Sequence, residues 1–128
     1  MPDYKPAGFR SLTPYLVVPD ADRILQFLKD AFDAEELGVH RRDDNTIMHA
    51  ELRIGDSMIE LGQANAPWTP MQASLHLYVP DTDAAYQKAL AAGAESLTKP
   101  ADAPYGDRAA GVKDPAGNQW FLATFLFR

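Results

Sequence analysis

Hydrophobic and polar positions in this chain alternate with a period of two in some segments and recur at helical spacing in others. Residues 13–18 alternate as a half-buried strand does, and residues 20–32 carry an apolar stripe at helical spacing. Asp20 or Asp22 is suited to cap this helix. Three more strands, separated by tight turns, are predicted at 35–42, 46–54 and 57–63. The first half of the chain therefore predicts a βαβββ module.

The second half repeats this order at a constant spacing. Segment 16–22 is echoed by segment 77–83, so that corresponding residues lie 61 positions apart, and both segments carry Val-Pro-Asp before a helix. The predicted elements are a strand at 74–79, a helix at 82–92 ended by Gly93, and strands near 95–98, 107–113 and 119–125. The chain is thus interpreted as a single α+β domain, 1–128, built of two βαβββ modules, 12–63 and 73–125, joined by a Pro-containing linker, 64–72.

Composition and charge narrow the function. The 128 residues are 46% hydrophobic, which is sufficient for one core. The net charge of -6 argues against nucleic acid as a partner, since phosphate binding needs an excess of Lys and Arg; it permits a cationic ligand. The absence of cysteine excludes disulfides, thiolate nucleophiles and Cys-based zinc sites. Neither a signal-peptide core nor a membrane-spanning segment is found, so a cytoplasmic protein without a membrane partner is expected.

Strand alternation predicts which side chains lie on the face without helices. Leu75 and Leu77 are expected to pack on the helices, as are Met48 and Ala50, while their neighbours point the other way. For the third strand of the second module, residues are assigned to a face by their counterparts 61 positions earlier, so that Val112 takes the face of Glu51. The predicted face comprises Tyr15, His49, Glu51, Met58, Glu60, Ser74, His76, Tyr78, Arg108 and Phe121, with Val112 among its apolar members. This face is either a solvated sheet surface or a ligand-binding cleft, and the interleaved aromatic residues favour the cleft.

Three segments give the chain a resemblance to a known superfamily. They are 18–22, with the sequence VPDAD; 49–57, with HAELRIGDS; and 105–108, YGDR, which leads into DPAGNQW at 114–120. In this order, and with the duplication, the chain resembles the vicinal oxygen chelate superfamily over about residues 12–124. That superfamily includes glyoxalase I, bleomycin-resistance proteins and extradiol dioxygenases. The resemblance implies a concave, mostly antiparallel eight-stranded sheet with helices on its outer face, and a homodimer.

The resemblance also implies where a metal would be bound. In the metal-dependent relatives, the ligands come from the first and fourth strands of each module, positions that correspond here to Thr13, Glu60, Ser74 and Phe121. Only Glu60 is a competent ligand, so the family's metal site is expected to be absent and no cofactor is expected. A relocated site of His49, Glu60 and His76 stays open as an alternative.

Two classes of function are compatible with these residues. The first is binding of a small molecule in the cleft without the family's metal, as in the bleomycin-resistance branch. The second is a lyase, an isomerase or another enzyme that uses Glu60 with His49 or His76 as acid–base residues or shifted metal ligands. The catalytic candidates are Glu60, His49 and Glu51.

Two other residues allow more than one interpretation, and two segments allow one each. Arg108 either binds an anionic group of a ligand or pairs with a carboxylate of the protein. Trp68 either caps the cleft or anchors a dimer interface. The apolar segment 121–127 is expected to be buried, against a second subunit. The turn at 114–118 is interpreted as structural, with Gly117 at a positive φ.

Overall fold

The computed structural model describes residues 4–126, and its elements follow the predicted order. The first module consists of β1 (Tyr15–Val18), α1 (Ala21–Phe32), β2 (Glu35–Arg41), β3 (Ile47–Ile54) and β4 (Ser57–Gln63). The second consists of β5 (Ser74–Tyr78), α2 (Thr82–Ala91), β6 (Glu95–Asp102), β7 (Asp107–Lys113) and β8 (Gln119–Phe125). The prediction of an α+β fold made of two βαβββ units is confirmed.

Both helices begin at the capping residues that the repeat supplies. Asp20 accepts a hydrogen bond from the backbone N–H of Arg23 at 3.3 Å, and Asp81 caps α2 in the same way. Asp22 is not the cap; its carboxylate is bound by the Arg41 guanidinium at 2.8 and 3.1 Å, and this hydrogen bonding lowers the pKa of Asp22. The Val-Pro-Asp repeat therefore marks the start of a helix in each module.

The eight strands form two separate four-stranded sheets, in the orders β1-β4-β3-β2 and β5-β8-β7-β6. In each sheet one pair is parallel, β1 with β4 and β5 with β8, and the others are antiparallel. A continuous eight-stranded sheet was implied by the resemblance. The linker lies at the edge of β1 instead, because the Met71 N–H donates to the Val17 carbonyl at 3.1 Å.

The core lies between the sheets and the helices, and the two helices also pack on each other. Leu16 and Leu61 of the first sheet and Leu122 of the second are fully buried in it. Phe32 of α1 contacts Trp120 of β8, with ring centroids 4.8 Å apart, so the two modules share one apolar cluster. Each sheet has one packed face and one face without helices.

The hairpin between β7 and β8 is one residue longer than its counterpart in the first module. Glu51 pairs with Glu60 in the first sheet, whereas Gly111 pairs with Phe121 in the second, so the spacing between modules is 60 residues in β7 and not 61. A shift of one residue exchanges the faces of a strand. The predicted position of Val112 on the bare face is therefore wrong: it is fully buried against the helices, as is Ala110.

This longer hairpin is organised around one buried carboxylate. Asp114 Oδ1 accepts from the backbone N–H groups of Ala116 and Asn118, both at 2.9 Å. Its Oδ2 accepts from Asn118 Nδ2 and Trp120 Nε1, both at 3.0 Å. Asn118 Oδ1 in turn accepts from the Ala73 N–H at 2.8 Å, and Gly117 has a φ of 90°. The structural interpretation of this turn is confirmed.

The chain end is only partly covered. Phe125 and Leu126 are exposed, and Phe127, the last residue of the apolar segment predicted to be buried, lies outside the described residues. Among residues 4–126, no helix is both long and apolar enough to span a bilayer.

Candidate functional site

Three side chains with acid–base and metal-binding chemistry meet on the bare face of the first sheet. His49 and Glu51 lie two residues apart on β3, and Glu60 lies opposite Glu51 on β4. His49 Nε2 is 3.7 Å from Glu51 Oε2 and 3.8 Å from Glu60 Oε2. One donor atom of each residue lies within 4.8 Å of the other two. The sequence prediction that these three residues share a face is consistent with this arrangement.

A β-bulge adds a residue to this face that alternation had assigned to the core. His40 pairs with His49 and Arg41 with Ile47, so that Met48 has no partner on β2. Ile47 consequently points into the core, where it is fully buried, while Met48 is 49% exposed beside His49. The assignment of Met48 to the helix side was wrong because a bulge interrupts the period of two.

Gly62 makes room for Tyr15 to cross the sheet. Tyr15 on β1 donates a hydrogen bond from its hydroxyl to the Met48 carbonyl of β3 at 3.3 Å, across the intervening β4. A Cβ on Gly62 would lie 2.6 Å from that hydroxyl and 2.8 Å from that carbonyl. Burial raises the pKa of Tyr15, the charge of Glu60 raises it further, and Arg42 lowers it. A glycine inside a strand is the signal that could have predicted this close approach.

These residues border a cavity of about 660 Å³ on the first sheet. Its lining is mostly apolar and comprises Tyr15, Val17, Arg42, Met48, His49, Gly62, Gln63 and Trp68. Trp68 belongs to the linker, is 70% exposed and forms an isolated β-bridge with Asn65. Its position at the cavity is consistent with the interpretation of Trp68 as a cap. Apolar walls with a few polar groups are typical of a small-molecule site.

Arg42 lines the cavity and is fixed by hydrogen bonds to its neighbours. Its guanidinium donates to the carbonyl oxygens of Ile47 and Gln63, both at 3.3 Å, and to the hydroxyl of Thr46. Within residues 4–126, neither Glu51 nor Glu60 is paired with a lysine or an arginine. His49 is therefore the basic group that faces both carboxylates.

The remaining predicted site residues belong to the second sheet or lie outside the cavity. Ser74, His76, Tyr78 and Phe121 lie on β5 and β8, and the rings of His76 and Tyr78 are 4.7 Å apart. His76 and Tyr78 line a second cavity of about 370 Å³, next to the turn of β3 and β4. Met58 is half-buried on β4, opposite Arg53. His76 does not join His49 and Glu60 as the alternative site required. The third residue of the cluster is Glu51.

Arg108 lies on the helix side of the second sheet because of the one-residue shift in β7. Its guanidinium donates to both oxygens of Asp83 at 2.6 and 3.0 Å and to Asp102 at 3.1 Å. These hydrogen bonds raise the pKa of Arg108 and lower that of Asp83. The pairing of Arg108 within the protein is thus the alternative that the structure supports, and ligand binding by Arg108 stays a prediction.

The family's metal positions do not fit a metal in this chain. Glu60 is the one strong donor among them; Thr13 and Ser74 offer hydroxyls, and Phe121 offers no donor atom. Ser74 and Phe121 also lie in the second sheet, whereas Glu60 lies in the first. A metal held by these four residues is incompatible with the chemistry of the set.

Comparisons with known proteins agree with the fold. Residues 10–122 match a family model described as the Glyoxalase/Bleomycin resistance protein/Dioxygenase superfamily. An uncharacterised protein of Mycobacterium tuberculosis is 39% identical over 125 residues, which cover 88% of this chain and 72% of that protein. The fold is similar to the crystal structure of TioX from Micromonospora sp. ML1, with a TM-score of 0.78 and 25% sequence identity. The match covers 91% of this chain and 99% of TioX. A member of the same superfamily from Sphaerobacter thermophilus is 22% identical, with a TM-score of 0.69, over 90% of this chain and 98% of that one.

Proposed function

We propose that this chain, which belongs to the Glyoxalase/Bleomycin resistance protein/Dioxygenase superfamily, binds a small apolar or aromatic molecule in the cavity of its first module, without the superfamily's metal site. The observation that carries the proposal is the cavity of about 660 Å³, which lies within the size range of ligand-binding sites. Tyr15, Met48 and Trp68 supply its apolar walls, and His49 and Arg42 supply the polar groups that would orient a ligand.

Trp68 provides a direct test of this proposal. The chain has two tryptophans, Trp68 at the cavity and Trp120 buried in the core, so a compound in the cavity should change the fluorescence of Trp68 alone. We expect compounds from a library of aromatic and aliphatic small molecules to quench the wild-type protein and the Trp120→Phe variant. The Trp68→Phe variant should show no quenching. Binding that is detected by calorimetry but leaves Trp68 fluorescence unchanged would place the ligand elsewhere and contradict the proposal.

A second candidate function is catalysis, and the observation that favours it is the position of His49. This histidine lines the cavity, and its Nε2 lies 3.7 and 3.8 Å from the carboxylates of Glu51 and Glu60. A histidine beside carboxylates is suited to transfer a proton to or from a bound molecule, as a lyase or an isomerase requires. Turnover of a bound compound that is lost in Glu60→Gln and kept in Glu36→Gln, whose carboxylate binds Lys29 away from the site, would favour this function.

The proposal includes a homodimer. Tyr78, Phe121 and Phe125 are about half exposed on β5 and β8, and an apolar surface of this kind is typical of an interface between subunits. We expect sedimentation equilibrium at micromolar concentration to give twice the mass of the 14.1 kDa chain. Phe121→Glu should shift the protein to the monomer, while Leu37→Glu, an exposed apolar position on β2, should not. A wild-type monomer under these conditions would contradict this part of the proposal.

A further inference from the structure

The residues around His49 form a set of donor atoms that is contained within one module. The three contributing residues, His49, Glu51 and Glu60, come from the adjacent strands β3 and β4. Each is half-buried, with side-chain exposures of 33%, 28% and 22%. The set is therefore accessible to solutes, but its side chains are partly constrained by neighbouring residues.

The placement of the two carboxylates carries an energetic cost that a cation would remove. Glu51 and Glu60 are direct cross-strand partners, and like charges in this position destabilise a sheet. His49 is the basic group that faces them, and the nearby arginines offer little further compensation, because Arg53 is bound to Glu35 at 2.8 and 3.2 Å and Arg42 is bound to backbone carbonyls. Gly38 on β2 leaves space beside Glu51, whose Oε1 would be 3.8 Å from a Cβ at that position.

We propose that His49, Glu51 and Glu60 bind a divalent transition-metal ion, such as Zn²⁺, at the border of the cavity. One imidazole and two carboxylates are a ligand set that such ions accept, and three protein ligands leave coordination positions open. Ligand atoms around one tetrahedral ion lie about 3.4 Å apart when the bonds are ~2.1 Å long. The separations of 3.7 and 3.8 Å from His49 Nε2 thus need to shorten by only about 0.3–0.4 Å, and all three donor atoms already lie within 4.8 Å of one another.

This site differs from the one that the superfamily positions describe, since it needs no residue of the second module. His49 also lines the cavity, so an open coordination position of the ion would be accessible to a molecule bound there. The part of the inference that concerns the ligand rests on the proposed function. If the cavity binds a small molecule and the ion is present, the expected ligand has an oxygen or nitrogen donor, which coordinates the ion, next to an apolar body.

Titration of metal-free protein with Zn²⁺ and Co²⁺ tests the inference. We expect one equivalent of Zn²⁺ to bind in calorimetry, and bound Co²⁺ to give a visible absorption spectrum that Zn²⁺ abolishes. Each of His49→Gln, Glu51→Gln and Glu60→Gln should weaken binding by at least about tenfold, since each removes one of three ligands. Far-UV circular dichroism of each variant establishes that it is folded.

Two control variants distinguish this site from a metal bound elsewhere on the two sheets. Glu36→Gln removes a carboxylate of the adjacent strand β2 that is bound to Lys29 at 3.1 Å, and Thr13→Ala with Ser74→Ala removes the hydroxyls at the superfamily's positions. Both should bind Zn²⁺ as the wild type does. The inference is overturned if the wild type binds no Zn²⁺ at submillimolar concentration, if Glu36→Gln weakens binding as much as Glu60→Gln, or if the double variant abolishes it.

The failure of this inference can be distinguished from the failure of the proposed function. Quenching of Trp68 by small molecules in the presence of a chelator would support the cavity as a binding site irrespective of any metal. Stoichiometric Zn²⁺ binding without any compound that quenches Trp68 would support the metal site and contradict small-molecule binding.

Discussion

Replacement of Asp114 by alanine is expected to lower the free energy of unfolding by at least about 3 kcal/mol, a large part of the ~5–15 kcal/mol that holds a typical domain folded. The carboxylate is 3% exposed and accepts four hydrogen bonds, from Ala116, Asn118 and Trp120. Alanine leaves these donors buried without a partner, and each costs about 1–3 kcal/mol if water does not replace the carboxylate. Urea denaturation monitored by far-UV circular dichroism would measure the loss.

Two further variants show whether the buried carboxylate is the cause. Asp114→Asn keeps the acceptor for the two backbone N–H groups but turns an amide NH₂ toward Asn118 Nδ2 and Trp120 Nε1, so its loss should be intermediate. Asp44→Ala removes an exposed turn carboxylate that accepts from Thr46 at 2.6 and 3.0 Å, and should change the midpoint little. Equal midpoints for Asp114→Ala and Asp44→Ala would refute the role assigned to Asp114.

Replacement of Gly62 by valine is expected to weaken ligand binding strongly in the cavity of the first module. The new side chain would overlap the Tyr15 hydroxyl and the Met48 carbonyl, which lie 2.6 and 2.8 Å from a Cβ at this position. Tyr15 must then leave its place in the cavity wall. We expect any compound that quenches Trp68 to bind at least tenfold more weakly, a loss of about 1.4 kcal/mol or more. The overlap should also destabilise the fold by about 1–3 kcal/mol.

Gly111→Val provides the matched control for this substitution. Gly111 is a crowded strand glycine in the second sheet, where a Cβ would lie 2.9 Å from Thr98 Oγ1. It should cost a similar amount of stability, measured by thermal denaturation, and leave the Trp68 quenching titration unchanged. Similar weakening of binding in both variants would mean that Gly62 acts through general destabilisation and not through the shape of the cavity.

The elements of the fold could be predicted because their determinants are local. Alternation marks β4 and β5, and the Val-Pro-Asp segments place Asp20 and Asp81 at the starts of the helices. The same alternation places Glu51 and Glu60 on one face, which cross-strand pairing then brings together. For these residues, the sequence contained sufficient information.

The remaining features depend on single-residue irregularities and on contacts distant in sequence. Met48 lies at the cavity because of a β-bulge, and the alternation of polar and apolar residues does not predict where a bulge occurs. Arg108 was assigned to the wrong face because the spacing between modules changes within one hairpin. The linker lies at the edge of β1, where the Met71 N–H donates to the Val17 carbonyl. Such a contact is set by tertiary packing and not by propensity.

The additional residue in the β7–β8 hairpin has a practical consequence for protein engineering. A designer who wished to duplicate the acidic site would copy the residues of β3 onto β7 at the spacing that aligns the rest of the two halves. The grafted ionisable side chains would replace Ala110 and Val112 and point into the apolar core, where burial without partners destabilises the fold. Deleting one hairpin residue first, or moving the grafted residues by one position, would turn them toward solvent.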